Sequence, residues 1–235
     1  MEKASLRSAL RWNTILVISV LLSAFILPIL PSSWGRLPAW IGFNLIFLSG
    51  VLSLEKKRLY VYFLSLIALV VGWISTLNDW TIIADISRAL NVIFFFLVVF
   101  SLIRQIATAR IVTAKVILEA ISGYILLGIL FAVVIAGITQ QDPGAFNITQ
   151  HGSGTEVPAD ILGQSMYFAF VTLATLGYGD IVPLEPYSRA LTTFICISGQ
   201  LYIAIIIAVL VGKYASRREH NYESVKEDEK DKSLP

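Results

Sequence analysis

The sequence predicts an all-α membrane protein with six transmembrane helices and a short re-entrant helix between the fifth and the sixth. Three observations lead to this fold class. Hydrophobic residues make up 56% of the 235-residue chain and charged residues only 14%, which is too apolar for a soluble domain. Six apolar stretches have the roughly 17 to 25 residues that a helix needs to cross a bilayer. The basic residues fall on one side of the resulting topology.

The six apolar stretches are separated by short polar or basic segments. The second is the shortest. A cleaved signal sequence is an alternative for the first stretch, which has a basic start and an apolar middle. Removing one crossing, however, would invert every later loop and spoil the charge pattern. The predicted spans are about residues 13–30, 38–54, 59–77, 80–103, 117–138 and 188–212.

The distribution of basic residues predicts the orientation. In this topology 15 of the 18 Lys and Arg residues precede the first span, follow the sixth, or lie in the loops after the second and fourth. The exceptions are Arg36, Arg88 and Arg189. Because basic residues are retained on the cytoplasmic side, we expect an integral protein of the plasma membrane with both termini cytoplasmic.

The chain divides into three parts. Residues 1–104 form a four-helix transmembrane block, residues 105–213 a second unit that holds the re-entrant helix, and residues 214–235 a charged cytoplasmic tail. The tail alternates both charge signs and has few large apolar residues, so we expect it to be disordered. The segment RQIATARIVTAKV mixes basic and apolar residues, which favours either a helix along the inner interface or a merely basic connector.

The outer loop between the fifth and sixth spans leads into the re-entrant helix. Its sequence ITQQDPGAFNITQHGSGTEVPA is rich in Gly, Pro and polar residues, which is typical of exposed irregular backbone. Asn147 heads an NIT glycosylation sequon. Asp160 is a candidate N-cap for ILGQSMYFAFVTLA, about 14 residues and too short to span. The chain must therefore enter the membrane and return.

The stretch TLATLGYGD at residues 172–180 follows this short helix. Irregular backbone at membrane depth is tolerated only where it is buried in protein or lines a wet cavity. Its carbonyl groups therefore need partners, and a dehydrated cation is one. Gly177 and Gly179 are able to adopt positive φ, which lets successive carbonyls point the same way.

Residues Thr175 to Asp180, TLGYGD, resemble the selectivity filter of the tetrameric potassium channels. The resemblance extends from Tyr167 across Pro183 and Arg189 to Gly199 and covers about residues 110–212. It implies that residues 105–213 are a pore domain with an interfacial linker, an outer helix, a pore helix, a filter and an inner helix.

Residue by residue, the resemblance implies an ion-binding filter. Potassium would lie among the carbonyl oxygens of Thr175, Leu176, Gly177 and Tyr178, with Gly179 completing the filter; no other cofactor is expected. Tyr167, Thr172 and Asp180 take supporting positions, Gly199 that of a gating hinge and Gln200 that of a cavity residue. Tyr167 is expected either to offer its hydroxyl to Asp180 or to be an apolar wedge. Leu176 and Ala174 depart from the usual valine or isoleucine and threonine.

One chain supplies one filter segment, so we expect a homotetramer around a central pore in the lipid bilayer, with no nucleic-acid partner. Acidic residues of the outer segments would raise the cation concentration at the mouth. Asp180 is the strongest of these candidates. They are Asp142, Glu156, Asp160, Asp180 and Glu185.

The four-helix block lacks the arginine repeat of a voltage sensor. Its fourth helix carries only Arg88, and Asp85 lies three residues earlier on the same face, where it is able to neutralise that charge. We therefore expect a potassium-selective channel with weak or no voltage dependence. The alternatives are a poorly selective cation channel and a nonconducting scaffold or regulatory subunit. An enzyme is not expected, because no paired acids, activated nucleophile or phosphate loop is found.

Overall fold

A computed structural model gives the architecture of the chain. It describes residues 2–26, 37–53, 59–77, 81–109, 112–148 and 158–232. Several residues considered above lie outside these ranges, among them Arg36, Glu156 and the basic residues at 56–58. The described side chains likewise do not include those of Asp160 and of the tail beyond residue 215.

The described residues form seven α-helices, and they contain no β-strand. A π-helical turn at Leu22–Ile26 continues the first helix. The helices are α1 Glu2–Leu21, α2 Leu37–Ser53, α3 Leu59–Leu77, α4 Thr81–Thr108, α5 Ala114–Gln141, α6 Pro158–Leu173 and α7 Pro186–Lys232. The six predicted spans fall on α1 to α5 and α7, and the predicted short helix falls on α6.

Three of these helices are long and apolar enough to cross a membrane. Within the described residues they are Asp85–Thr108, Ala114–Gln141 and Pro186–Ala215. The other apolar helical stretches are shorter, at Leu10–Phe25, Ile41–Ser53, Phe63–Ile74 and Ile161–Leu173. The chain is thus mostly helical with three candidate transmembrane helices.

The first four helices enclose an aromatic core. Phe47 of α2 stacks on Phe94 of α4 with ring centroids 4.0 Å apart, and Phe95 packs beside both rings. Leu16 of α1 and Val61 of α3 are fully buried in the same cluster. Burying aromatic side chains of this size holds the four helices together as one block.

Helix α5 lies between this block and the last two helices. It packs against α1, α4 and α6, and about two thirds of its apolar stretch is buried. Two glycines of α5 pack directly against aromatic side chains. A Cβ added at Gly128 would lie 2.3 Å from the Phe170 ring, and one at Gly123 would lie 2.4 Å from the Tyr202 hydroxyl. Small residues allow this close helix packing.

A buried polar contact joins the four-helix block to α5. The side-chain amide of Asn13 on α1 donates a hydrogen bond to Glu119 Oε1 at 3.4 Å, and the Ser53 hydroxyl on α2 donates to the carbonyl oxygen of the same amide. Lys115 Nζ lies 3.5 Å from Glu119 Oε1. Charged groups at such depth require partners, and these partners fix α1 and α2 to the amino-terminal end of α5.

Of the two alternatives for the segment RQIATARIVTAKV, an interfacial helix or a basic connector, the helix bounds favour the connector. Helix α4 continues to Thr108 and α5 begins at Ala114, so the intervening residues are too few for a helix. Ile106 is fully buried within a cluster that includes Tyr202 of α7, rather than facing lipid. Lys213 Nζ donates hydrogen bonds to the carbonyls of Ile106 and Ala107 at 2.5 and 2.9 Å, which satisfies the end of α4.

Two further expectations differ from the structure. The tail is helical, because α7 runs without a break to Lys232 instead of ending before a disordered segment at 214. Extending an existing helix needs no new nucleus. Asp160 lies inside α6 rather than at its N-cap, because the helix begins at Pro158, whose fixed φ suits the first helical position.

Candidate functional site

The candidate site begins where α6 ends, at Leu173. Three backbone N–H groups turn back to the last helical turn: Ala174 donates to Phe170 O, Thr175 to Thr172 O and Leu176 to Val171 O, each at 2.9 Å. Thr172 is buried. These bonds fix the inner end of the following segment to the carboxyl end of α6.

The backbone from Thr175 to Gly179 alternates in handedness. Thr175, Gly177 and Gly179 have φ values of 61°, 55° and 80°. The predicted positive φ of the two glycines is confirmed. The positive φ of Thr175 was not foreseen, because a β-branched residue disfavours this region; its spacing of two from Gly177 was the only signal in the sequence.

The carbonyl groups of this alternating segment have no hydrogen-bond partner in the described part of the chain. Residues 174–180 are all exposed, with Leu176 at 58% and Tyr178 at 68%. Among the described residues, no hydrogen bond is donated to the carbonyl oxygens of Thr175, Leu176, Gly177 or Tyr178. Backbone carbonyl oxygens without protein partners are suited to hold a desolvated cation when several such segments surround it.

The outer end of the segment is held through Asp180. The Tyr167 hydroxyl donates a hydrogen bond to Asp180 Oδ2 at 2.6 Å. Of the two roles expected for Tyr167, a hydrogen-bond donor to Asp180 or an apolar wedge, the structure shows the donor. Asp180 Oδ1 accepts a hydrogen bond from the Ile181 N–H at 3.0 Å. The hydrogen bond to Asp180 raises the pKa of Tyr167 to about 12, so the hydroxyl remains a protonated donor up to a higher pH than an ordinary tyrosine would.

A second contact to this end comes from Asn147, which sequence reasoning treated only as a sequon. Its side-chain Nδ2 donates to the carbonyl of Asp180 at 2.9 Å, and its Oδ1 accepts from the Val182 N–H at 2.7 Å. Because the paired residues are 33 and 35 positions apart in the chain, no local sequence pattern indicated this contact.

Gly199 lies where α7 crosses the end of α6. A Cβ added there would lie 2.1 Å from the carbonyl oxygen of Leu173, and α7 continues as a regular helix through this position. The structure therefore gives Gly199 a packing role, and its role as a gating hinge stays a prediction. Gln200, the expected cavity residue, is exposed on α7 of the single chain.

Arg88 on α4 is engaged on two sides. It forms an ion pair with Asp85, as the sequence predicted. Its Nη1 also donates to Gln140 Oε1 at 2.9 Å and to the Gly137 carbonyl at 3.5 Å. These contacts attach the basic residue to the carboxyl-terminal end of α5.

Two of the acidic residues expected at the mouth have structural contacts. Asp142 accepts hydrogen bonds from the Gly144 N–H and from the Tyr187 hydroxyl. Glu185 accepts bonds on its carbonyl from the Ser188 hydroxyl at 2.8 Å and the Arg189 N–H at 3.0 Å. Within the ranges that the structure covers, no three His, Cys, Asp or Glu side chains form a metal-binding group.

Comparison with known proteins links this region to ion channels. Residues 151–215 match a family model described as Ion channel. The chain is 34% identical over 74 residues to the potassium voltage-gated channel protein shk-1 of Caenorhabditis elegans, covering 31% of this chain and 13% of the relative. It is 29% identical over 97 residues to two pore potassium channel c of Oryza sativa subsp. japonica, covering 41% and 18%.

These similarities concern a part of each protein. The chain spans less than a fifth of the length of either relative, and no solved structure matches it. Together with the apolar helices, they support a membrane protein of ion transport that is similar to potassium channels in the region of the candidate site.

Proposed function

We propose that this chain is one subunit of a homotetrameric potassium-selective channel that conducts passively through a central pore. The observation that carries this proposal is the alternating backbone of Thr175, Gly177 and Gly179, with positive φ at all three. Residues 174–180 are exposed, and the described residues donate no hydrogen bond to the carbonyls of Thr175 to Tyr178. Four such segments around one axis would replace the hydration shell of K⁺.

The need for several copies is supported by the faces of α7. Less than a quarter of its apolar stretch is buried in the single chain, against about two thirds for α5. Phe194, Ile197, Leu201 and Ile205 are each more than half exposed and recur at helical spacing. In a tetramer these side chains would meet neighbouring subunits or line the pore, as a closed symmetric assembly requires.

The proposed membrane arrangement combines helix lengths with the sequence topology. The 16 residues of α6 rise about 24 Å at ~1.5 Å each, short of the ~30 Å hydrocarbon core, and α6 leads directly into the exposed segment at 174–180, so it is proposed as the re-entrant pore helix. Helices α2 and α3 are also short, with 17 and 19 residues, so the proposal of α1 to α5 and α7 as six spans rests on the apolar runs and the distribution of basic residues. The basic residues would then leave both termini on the cytoplasmic side of the plasma membrane.

The same structure argues against steep voltage gating. One charge moved through the whole field is worth about 2.3 kcal/mol per 100 mV, and true sensors move three or four per subunit. Arg88 is a single charge, and its contacts with Asp85 and Gln140 would have to break for it to move. Weak or absent voltage dependence is proposed on this basis.

Potassium flux in liposomes tests the function directly. The purified full chain is reconstituted with K⁺ on one side and Na⁺ on the other, and the reversal potential is measured. A value near the K⁺ equilibrium potential supports the proposal. A value near zero indicates a poorly selective cation pore, and no flux indicates a nonconducting scaffold or regulatory subunit.

Gly177→Asp is the control for this experiment. Gly177 has a φ of 55°, so any side chain there is strained, and a carboxylate would project from the exposed filter segment. The variant should abolish flux while the particle keeps its size. Flux that persists in this variant would mean that ions pass elsewhere.

A further inference from the structure

We infer that Asn147 is a positioning residue that holds the outer end of the filter in its conducting shape, and that its side chain does not accept a glycan in the folded protein. This inference rests on the proposed channel function. It concerns a residue outside the filter, on the outer segment between α5 and α6.

Both polar atoms of the Asn147 side chain are occupied by filter-flanking backbone. Nδ2 donates to the Asp180 carbonyl at 2.9 Å and Oδ1 accepts from the Val182 N–H at 2.7 Å. The Asn147 N–H also donates to the Val182 carbonyl at 3.2 Å. The side chain therefore bridges the peptide groups on both sides of Ile181, which requires a donor and an acceptor on one planar amide.

The segment that carries Asn147 is itself fixed. Phe146 is fully buried and packs edge-on against Phe168 of α6 with ring centroids 5.4 Å apart. Phe146 also pairs with Pro183 in an isolated antiparallel bridge, and the Leu184 N–H donates to the Ala145 carbonyl at 2.9 Å. Asn147 thus acts from a rigid support, as a positioning group requires.

Asp180 receives two separate tethers at the outer end of the filter. Tyr167 holds its carboxylate at 2.6 Å, and Asn147 holds its backbone carbonyl at 2.9 Å. The inner end is held by the backbone bonds to α6. The segment between these ends makes no hydrogen bonds through its carbonyls with the described part of the chain, so the direction of those carbonyls depends on the end tethers.

The sequon conflicts with this arrangement. Asn147, Ile148 and Thr149 read as an acceptor motif, and a glycan would be attached at Nδ2. Nδ2 is the atom that donates to the Asp180 carbonyl, and Ile148 is 1% exposed. A bulky sugar at Nδ2 would displace the filter flank, so the motif and the tether exclude each other.

The test compares three variants of the full chain in liposomes. Asn147→Asp keeps the size and one acceptor but loses the donor to Asp180, and Asn147→Ala loses both bonds. Thr149→Ala removes the sequon and leaves Asn147 intact, so it is the matched control. The measured quantities are the initial K⁺ flux, its decay during sustained conduction, and the K⁺ dependence of that decay.

We expect both Asn147 variants to decay on the order of tenfold faster than wild type, as the loss of one or two hydrogen bonds would allow. Raising the K⁺ concentration should slow this decay, because bound ions favour the conducting shape by mass action. A merely structural defect would not respond to K⁺ in this way. Thr149→Ala should behave as wild type. Decay equal to wild type in both Asn147 variants would overturn the inference.

Amide hydrogen exchange of the peptide containing Val182 separates this inference from the proposed function. The Val182 N–H should be protected in wild type and Thr149→Ala and should exchange faster in Asn147→Ala, which lacks the acceptor oxygen, whether or not the protein conducts. In Asn147→Asp, which keeps an acceptor for this N–H, Val182 should stay protected. Absence of K⁺ flux in wild type would count against the channel alone. Unchanged Val182 exchange in Asn147→Ala, or a glycan on Asn147 of the folded wild type made in a glycosylating host, would overturn the tether alone.

Discussion

Replacing Gly199 by alanine is expected to force α7 away from the end of the pore helix. The added Cβ would lie 2.1 Å from the Leu173 carbonyl oxygen and 3.1 Å from its Cδ1. Real Cβ contacts essentially never fall below 3.0 Å, so the two helices must separate by about 0.9 Å. Backbone is the obstacle, and a rotamer change cannot relieve the clash. Overpacking of this kind costs about 1–3 kcal/mol.

The effect should reach conduction as well as stability. Leu173 is the last residue of α6, and the bonds that fix the filter begin immediately after it. A shift at Leu173 therefore moves the inner end of the filter. We expect Gly199→Ala to lower the thermal stability of the assembled particle and to reduce the K⁺ to Na⁺ permeability ratio in the liposome assay.

Gly212 provides a matched control on the same helix. A Cβ added there meets nothing within 4 Å in its own chain, and alanine is up to about 1 kcal/mol more favourable than glycine in a helix interior. Gly212→Ala should be neutral or stabilising in the same melting experiment. If Gly199→Ala matches wild type in both stability and selectivity, the close approach of α7 to Leu173 is wrong.

Three other substitutions probe separate contacts. Tyr167→Phe removes the hydrogen bond to Asp180 and should speed the decay of conduction. Because the pKa of Tyr167 rises from 10.0 to about 12, the bond's contribution is complete below pH 10 and lost only as the pH approaches 12. The difference in decay rate between variant and wild type should therefore be constant from about pH 7 to pH 9, and a difference that vanishes in that range would contradict the assignment. Arg88→Gln should leave the current–voltage relation shallow. It should change the unfolding free energy by no more than about 1 kcal/mol, since the ion pair of Arg88 with Asp85 is partly exposed. A clear change in the steepness of the current–voltage relation would show a sensing role for Arg88. Gly123→Ala should destabilise the protein by about 1–3 kcal/mol, because its Cβ would lie 2.4 Å from the Tyr202 hydroxyl. Tyr202→Phe should cost about 0.5–1.5 kcal/mol, because that hydroxyl donates to the Ala120 carbonyl at 2.8 Å. The double variant should lose less than the sum, since the clashing hydroxyl is then absent; strict additivity in chemical denaturation would refute this contact.

The helices could be located from the sequence because their determinants are local. The apolar run at 59–77 coincides with α3 at Leu59–Leu77, and the other predicted spans differ from the helices mainly at their ends. Hydrophobic runs indicate which segments lie in lipid, because exposing polar groups to lipid is unfavourable. They do not indicate at which residue a helix ends. Helix α7 accordingly continues far past its apolar part, to Lys232.

The candidate site could be predicted only in part, because only some of its features are determined by local sequence. Gly177 and Gly179 indicated positive φ by residue type, and both have it. The ion pair of Arg88 with Asp85 follows from a spacing of three on one helix. In contrast, the tether from Asn147 and the contact of Gly199 with Leu173 join distant parts of the chain, and such pairings depend on how the helices pack.

Ion density in the assembled particle tests the coordination of K⁺ by Thr175 to Tyr178 most directly. Crystals grown with Rb⁺ in place of K⁺ would be measured at the rubidium absorption edge. We expect anomalous peaks in a row on a fourfold axis, each surrounded by carbonyl oxygens of these residues from four chains. A monomeric particle, or a fourfold axis with no rubidium between these carbonyls, would contradict the proposed function.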